Sequence, residues 1–164
     1  MLKINKYLKI LILVLLTILL FSLPVSQQEV TILNDYEYGN IKNVYLIEDN
    51  NQPYKLLQII SVKGYHEQII MFLALDMTKG KIDVLDIIQE NESLDYGGYI
   101  SEEWFLSRFK GKDIDLKLKL VKMSAKEPQE VVAVTGATIS SRAVVDGVNE
   151  ALENYKKIRD SLNN

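Results

Sequence analysis

The sequence predicts an α+β domain: an antiparallel sheet with a short helix and a long C-terminal helix packed on it, preceded by an N-terminal transmembrane helix. Three patterns carry this. Apolar and β-branched runs alternate with turn residues between positions 43 and 88, apolar residues recur at helical spacing from Val144 to Leu162, and a nearly unbroken apolar run follows three lysines at the N-terminus. They divide the chain into an anchor or signal over 1–25, a tether over 26–42 and a domain over 43–164.

The first element is the run Ile10 to Val25, interrupted only by Thr17, Ser22 and Pro24 and preceded by Lys3, Lys6 and Lys9. A cleaved signal has an apolar core of about 7–15 residues, whereas a spanning helix needs about 20. With Tyr7 and Leu8 the run nears the spanning range, and Pro24-Val25-Ser26-Gln27 is a poor cleavage site. A retained anchor is therefore favoured over a removed signal. Lysines before the run and none directly after it predict a cytoplasmic N-terminus and an extracytoplasmic C-terminal domain in a single-pass protein.

Residues 26–42 are polar with scattered apolar positions and read as a tether, in part ordered. Val44–Ile47 and Tyr54–Val62 then read as two antiparallel strands across the turn Glu48–Pro53. Ile69–Met77 and Ile82–Ile88 read as a hairpin closed by Thr78-Lys79-Gly80-Lys81. A polar loop, Gln89–Gly98, leads to a short helix over Ser101–Phe109, with Ser101 as its N-cap and Trp104, Phe105 and Phe109 as a core face. Ile114–Val121 alternates as a half-buried strand does, Lys122–Gln129 is a polar loop, and Val131–Val134 is a short strand. In the last helix Val144, Val145, Val148, Ala151, Leu152, Tyr155, Ile158 and Leu162 form the packed face, opposite Arg142, Asn149, Glu153 and Lys156.

Composition narrows the function. The chain of 164 residues, 48% hydrophobic and 25% charged, suits one domain with an appendage. A net charge of −3 with dispersed basic residues gives no cationic footprint for nucleic acid. The absence of cysteine excludes disulfides, thiolate metal sites and a thiol nucleophile. The single histidine, His66, reads as a surface or strand-edge residue, since one imidazole makes no usual metal site. Glu90 and Glu92 read as solvated carboxylates of an acidic loop rather than as an acid/base pair.

One stretch points to chemistry. Thr135-Gly136-Ala137-Thr138-Ile139-Ser140-Ser141 joins the last strand to the last helix. Glycine permits a tight turn or close approach, and the amides that open a helix point at an anion, so the stretch suits a phosphate. It suits equally a strand, a turn and a serine-capped helix.

The order of motifs adds a resemblance. Gly64-Tyr65 begins a hairpin; Glu92-Ser93-Leu94-Asp95-Tyr96-Gly97-Gly98 precedes the aromatic helix and Phe109-Lys110-Gly111-Lys112; Thr135-Gly136-Ala137-Thr138 follows. From about Tyr54 to Ile158 the chain resembles the FMN-binding domains of the Rnf complex G subunit and of the C subunit of the sodium-pumping NADH:quinone oxidoreductase. The resemblance implies FMN joined through a phosphoester to Thr138, with Thr135, Gly136, Ala137 and Ser140 shaping the phosphate pocket and Glu92, Ser93 and Gly97 in the opposing loop. It implies a membrane-anchored flavoprotein that transfers electrons within a membrane redox chain or ion-pumping complex. Its partners would be a flavin transferase and other complex subunits, and it would be an electron-transfer subunit rather than a stand-alone catalyst. The sequence departs from the family pattern at two places: Val132 stands where the family often has Asp, and Leu94-Asp95-Tyr96 where it has Pro-Gly-Leu. These departures keep open a flavin-free or noncovalent FMN-binding module on the same fold. A sensor or scaffold with an ordinary helix cap stands further off.

Overall fold

The computed structural model describes residues 28–163; the predicted membrane anchor lies outside the described residues. Among those described, no helix is long and apolar enough to cross a membrane. The chain forms a five-stranded antiparallel meander in the order β1 (Gln28–Ile32), β2 (Ile41–Asp49), β3 (Gln52–Lys63), β4 (Gln68–Asp76), β5 (Lys81–Gln89). Each strand pairs with its neighbour in sequence, so the sheet is built from local hairpins.

The hairpin turns follow from their residues. Asn50 and Asn51 both adopt positive φ, 51° and 60°, and Asp49 pairs directly with Gln52, so two asparagines close the β2–β3 hairpin. Left-handed geometry at both central positions matches the twist of the flanking strands. The predicted turn over Glu48–Pro53 is thus shorter than expected, and both strands are longer. At the β4–β5 turn, Asp76 accepts hydrogen bonds from the Thr78 hydroxyl at 2.7 Å and the Lys79 amide at 2.9 Å.

Order also begins earlier than the boundary expected at residue 43. Within the predicted tether, β1 pairs along the edge of β2, a 3-10 turn spans Asn34–Tyr36, and Glu150 of the last helix accepts from the Asn40 amide and side chain. All five residues of β1 are exposed. An edge strand with no buried face leaves no apolar alternation to read.

The long helix, which follows the short α1 described below and is numbered α2 (Thr138–Leu162), packs on one face of the sheet, chiefly against β3. Val144, Val145, Val148, Ala151, Leu152, Tyr155 and Ile158 are buried as the periodicity predicts, whereas Leu162 is exposed. Gly147 sits so close to β3 and β4 that an added Cβ would meet Met71 and Val62. Asn149, expected on the solvent face, instead accepts from the Leu118 amide at 2.7 Å and donates to its carbonyl at 3.0 Å.

Between β5 and α2 regular structure is sparse. A 3-10 turn (Gly97–Ser101) leads into α1 (Glu103–Leu106), which is only four residues long. Ser101 is not its cap; the Ser101 hydroxyl donates to the Gly98 carbonyl at 2.7 Å, and Glu102 occupies the N-cap position without a side-chain bond. Of the strand expected over Ile114–Val121 only β6 (Lys119–Val121) forms, and it pairs in parallel with β7 (Glu130–Val132) in a separate two-stranded sheet. The upstream residues instead turn along the edge of β5, where the Ile82 amide donates to the Lys112 carbonyl and the Gly111 amide to the Ile82 carbonyl, each at 2.8 Å.

Candidate functional site

The irregular segment and the start of α2 enclose a cleft of about 440 Å³ at one end of the sheet. Its walls contain Ser93, Gly97, Gly136, Ala137, Thr138 and Ser140 from the predicted site, together with Tyr65, Tyr96 and Ile139. Tyr65 comes from the β3–β4 connection, Ser93 to Gly97 from the loop after β5, and the rest from the turn into α2. Of the predicted residues, Thr135 faces a neighbouring cleft instead, and Glu92 lines neither.

Glu92 lies beneath the cleft and holds its three walls together. Its residue is only 8% exposed, so it is not the solvated carboxylate expected of an acidic loop. Oε2 accepts from the Ser140 hydroxyl at 2.6 Å and the Tyr65 amide at 3.1 Å, and Oε1 accepts from the His66 amide at 3.0 Å. Burial, the largest single influence, pushes the carboxyl up. The Ser140 hydroxyl and the amides of His66, Tyr65 and Glu67 together outweigh it and hold the group below the usual glutamate range. Glu90 in turn accepts from the Glu92 amide at 2.6 Å. Two glycines make room for this carboxylate: an added Cβ at Gly64 would strike its Oε1, and one at Gly97 would lie 2.6 Å from its Cβ. The three separated sequence motifs therefore meet at one side chain.

The turn into α2 is closed from within. The Ser141 hydroxyl, fully buried, accepts from the Val134 amide at 3.0 Å, and the Ala137 amide donates to the Val134 carbonyl at 3.0 Å. Gly136 has φ +83°, a conformation that side chains resist, and an added Cβ would also strike the Tyr96 ring. The helix begins at Thr138 with Ala137 at the N-cap and no side-chain cap, so the serine-capped alternative is not what forms. Ser140 and Ser141 lie inside the first turn with their hydroxyls spent on Glu92 and Val134. The Ser141 amide bonds back to the Ala137 carbonyl; the first-turn amides ahead of it have no preceding turn to bond. A helix of 25 residues thus presents uncapped amides, its positive dipole end and the Thr138 side chain to the same cleft.

Trp104 is not core. Phe105 and Phe109 are fully buried, but Trp104 is 46% exposed and stacks with Arg108, whose guanidinium carbon is 4.8 Å from the indole centroid. A helix of one turn buries one side only, so a three-aromatic core face does not fit on it. Trp104, Tyr99, Arg108 and Thr135 line the second cleft, about 730 Å³, which shares Tyr96 with the first. Tyr96 and Trp104 are visible as aromatic residues in the sequence, but their proximity to Thr135 depends on the tertiary path of the 97–134 segment.

Comparison with known proteins places this geometry in a family. The model of the FMN-binding domain matches residues 64–153. The G subunit of the proton-translocating ferredoxin:NAD(+) oxidoreductase complex of Clostridium ljungdahlii is 33% identical over 112 residues, which cover 68% of this chain and 59% of that protein. Its counterpart in the Na(+)-translocating ferredoxin:NAD(+) oxidoreductase complex of Acetobacterium woodii is 38% identical over 96 residues, covering 58% and 45%. The chain thus spans about half the length of these curated relatives. Two solved structures share the fold. The C subunit of the Na(+)-translocating NADH-quinone reductase of Parabacteroides distasonis has a TM-score of 0.62 at 22% identity, over 80% of this chain and 77% of that one. NqrC of Shewanella oneidensis has a TM-score of 0.57 at 23% identity, over 65% and 53%.

The cleft's chemistry fits the cofactor this family binds. Uncapped helix amides and hydroxyls suit a phosphate, and the aromatic faces of Tyr65 and Tyr96 suit a flavin. With more than half of the chain matched and the three motifs joined at Glu92, the protein belongs to the FMN-binding domain family, and its cofactor is FMN.

Proposed function

We propose that the protein carries FMN as a phosphoester on Thr138 Oγ1 and transfers electrons as a subunit of a membrane redox chain or ion-pumping complex. Its N-terminal segment anchors it, with the N-terminus in the cytoplasm and the domain outside. The observation that carries the reading is the convergence of three motifs on Glu92 beneath a cleft that Thr138 lines. The names of the two curated relatives, both subunits of ion-translocating oxidoreductase complexes, support the setting. The lysines ahead of the apolar N-terminal run support the orientation.

In this reading each residue has a task. The first-turn amides of α2 and its dipole hold the phosphate charge, Gly136 keeps the approach clear, and Ser140 is fixed by Glu92 so that the helix start cannot drift. Ser93 and Gly97 form the opposing wall, where the Ser93 hydroxyl accepts from the Gly97 amide at 2.9 Å. Bound FMN supplies reversible uptake of two electrons, which no side chain here provides. Thr138 cannot form its ester from free FMN without expelling hydroxide, so the oxygen requires an activated flavin donor and a flavin transferase. A dinucleotide donor would lose its nucleoside monophosphate as the ester forms, and the hydroxyl proton would pass to the transferase or solvent.

Val132 supports the second reading, in which FMN is held without the ester. It places an apolar side chain at the second cleft where the family often has a carboxylate. Intact-mass spectrometry of the full chain co-expressed with a flavin transferase separates the two. A gain of one FMN residue on the wild type and none on Thr138→Ala is expected. No gain on the wild type, or an equal gain on the variant, overturns the covalent assignment.

A further inference from the structure

The long helix α2 covers one face of the meander, and the buried Phe105 and Leu106 of α1 belong to the same core, so the opposite face of the sheet is left open. That face is apolar. Register places Ile32, Tyr45, Leu57, Ala74 and Val84 side by side, one from each strand, in a row across all five. Val30 and Ile47 flank the row on one side, and Ile59 and Phe72 on the other. Tyr45, Ile47, Leu57, Ile59 and Phe72 are half-buried yet stand outside the core, while Val30 and Ile32 are 62% and 57% exposed. The charged residues of this face stand at strand ends or on β5, apart from Lys55, which Asp83 neutralises at 2.7 Å.

Where the chain enters the sheet decides what covers this face. The apolar N-terminal run ends at Val25, and Gln28 opens β1, the edge strand of the open face. Three residue steps reach about 11 Å at most, and the headgroup layer on each side of a bilayer is about 5–8 Å deep. With the run spanning the membrane, β1 therefore starts at the lipid headgroups. The apolar band, about 19 Å wide and about 15 Å deep, covers roughly 300 Å², well short of the about 800 Å² per partner of a standard protein interface, which disfavours a second copy. A tethered domain has no such need, because the anchor keeps it at high effective concentration beside the lipid. We propose that the open face of the meander lies on the membrane surface, with the row from Ile32 to Val84 resting in the interfacial layer of the lipid. This rests on the reading that residues 1–25 are a retained anchor. The contact is apolar rather than electrostatic, since Lys55, Lys63 and Lys81 on this face are outnumbered by Asp49, Asp76, Asp83 and Asp86.

This posture sets the height of the cofactor site. The anchor enters at the end of the sheet where Gln28 pairs with Asp49, whereas Tyr65 and the cleft of Thr138 lie beyond Lys63 at the other end. The 12 residues of β3 separate these ends by about 36 Å. A domain standing on its anchor holds the cleft that far from the lipid. Lying on the open face lowers it to about one packed layer, on the order of 10 Å, and shortens the path to redox partners in the membrane.

The test uses the full chain in phosphatidylcholine vesicles that contain lipid with a nitroxide on its headgroup. The protein has no cysteine, so Ser61→Cys and Asp146→Cys each take a single red fluorophore, clear of flavin emission. Ser61 lies on the open face at the cleft end of β3, opposite Ile70. Asp146 is exposed on α2 at a similar height, beside Gly147, which abuts Val62 and Met71. Lipid nitroxide is expected to quench the Ser61 probe severalfold more than the Asp146 probe, equally at low and high salt. Val30→Asp with Ile32→Asp, at two exposed positions that leave the core intact, is expected to reduce the Ser61 quenching severalfold. Equal quenching at both probes, quenching at neither, or quenching that the double variant leaves unchanged overturns the lipid contact while the anchor stands. Energy transfer between two labelled copies through the Ser61 probe assigns the face to a second copy and overturns it too. A full chain that fails to float with the vesicles overturns the anchor and the posture together.

Discussion

The meander and the segment that follows it are stabilised in opposite ways. From β2 to β5 each strand bonds to its neighbour in sequence over long ladders, and buried residues such as Leu56, Ile60, Met71, Leu73 and Leu75 form the core under α2. Between residues 90 and 137 the ladders nearly vanish, leaving a one-turn helix and two three-residue strands. Side chains fasten this stretch instead. Glu92 reaches Ser140, Arg108 reaches the Val132 carbonyl, Lys112 reaches the carbonyls of Pro128 and Glu130, and Asn149 clasps Leu118. Both clefts lie along this second region. A ladder spends its backbone donors on itself, whereas a chain held by side chains leaves amides and surfaces for a ligand.

Three substitutions test that contrast. Leu73→Ala opens a cavity in a fully buried position of the sheet and is expected to cost about 2–5 kcal/mol, read as a lower melting temperature. Flavin content of the protein that remains folded should match wild type, because Leu73 lines neither cleft. A loss of flavin out of proportion to unfolding would show that the two regions are not separable.

Glu92→Gln is expected to cost about 1.5–3 kcal/mol, since charge-assisted hydrogen bonds are weakened and one acceptor oxygen becomes a donor facing donors. It should also reduce flavin loading before the protein melts, as judged by flavin absorbance per protein. The pH dependence has a definite sign. A carboxyl held low in the folded state stabilises above its unfolded value, and that stability is lost as pH falls below about 4.3 and through the lower folded value. The stability gap between wild type and Glu92→Gln should therefore narrow on acidification, measured by chemical denaturation across about pH 3 to 7. A constant gap would mean that shape rather than charge matters at this position.

Gly136→Ala is the smallest in stability. Forcing a side chain into φ +83° costs about 1–2 kcal/mol, and the displaced neighbour, Tyr96, is exposed and free to swing. Its effect on noncovalent FMN affinity, measured by titration of the Thr138→Ala background, should exceed what the melting temperature suggests. Equal small effects on both would make Gly136 an ordinary turn residue.

Much of the meander is legible in the sequence because its causes are local. Alternation, β-branched runs and Asn-Asn or Lys-Gly turns act within a few residues, and α2 shows its packed face at regular spacing. Where a cause is distant, the reading fails. Trp104 and Phe105 look alike in sequence, yet the path of the 97–134 segment buries one and half-exposes the other. Leu116 to Leu120 alternates like a strand, but Asn149 captures Leu118 and only the end of the run finds a partner, β7.

The candidate site divides in the same way. Thr135-Gly136-Ala137-Thr138, the Glu92 loop and Gly64-Tyr65 are each present as spaced residues, and their order suffices to suggest the family and its cofactor. By itself the sequence determined the four strands from β2 to β5, the long helix and the chemistry available at its start, because propensity and spacing are properties of neighbouring residues. Only the tertiary structure decided that Glu92 is buried, that it binds Ser140 across 48 positions of chain, and that two clefts of different chemistry meet at Tyr96. Burial and long-range hydrogen bonding depend on which distant segments pack together, and no local pattern encodes that.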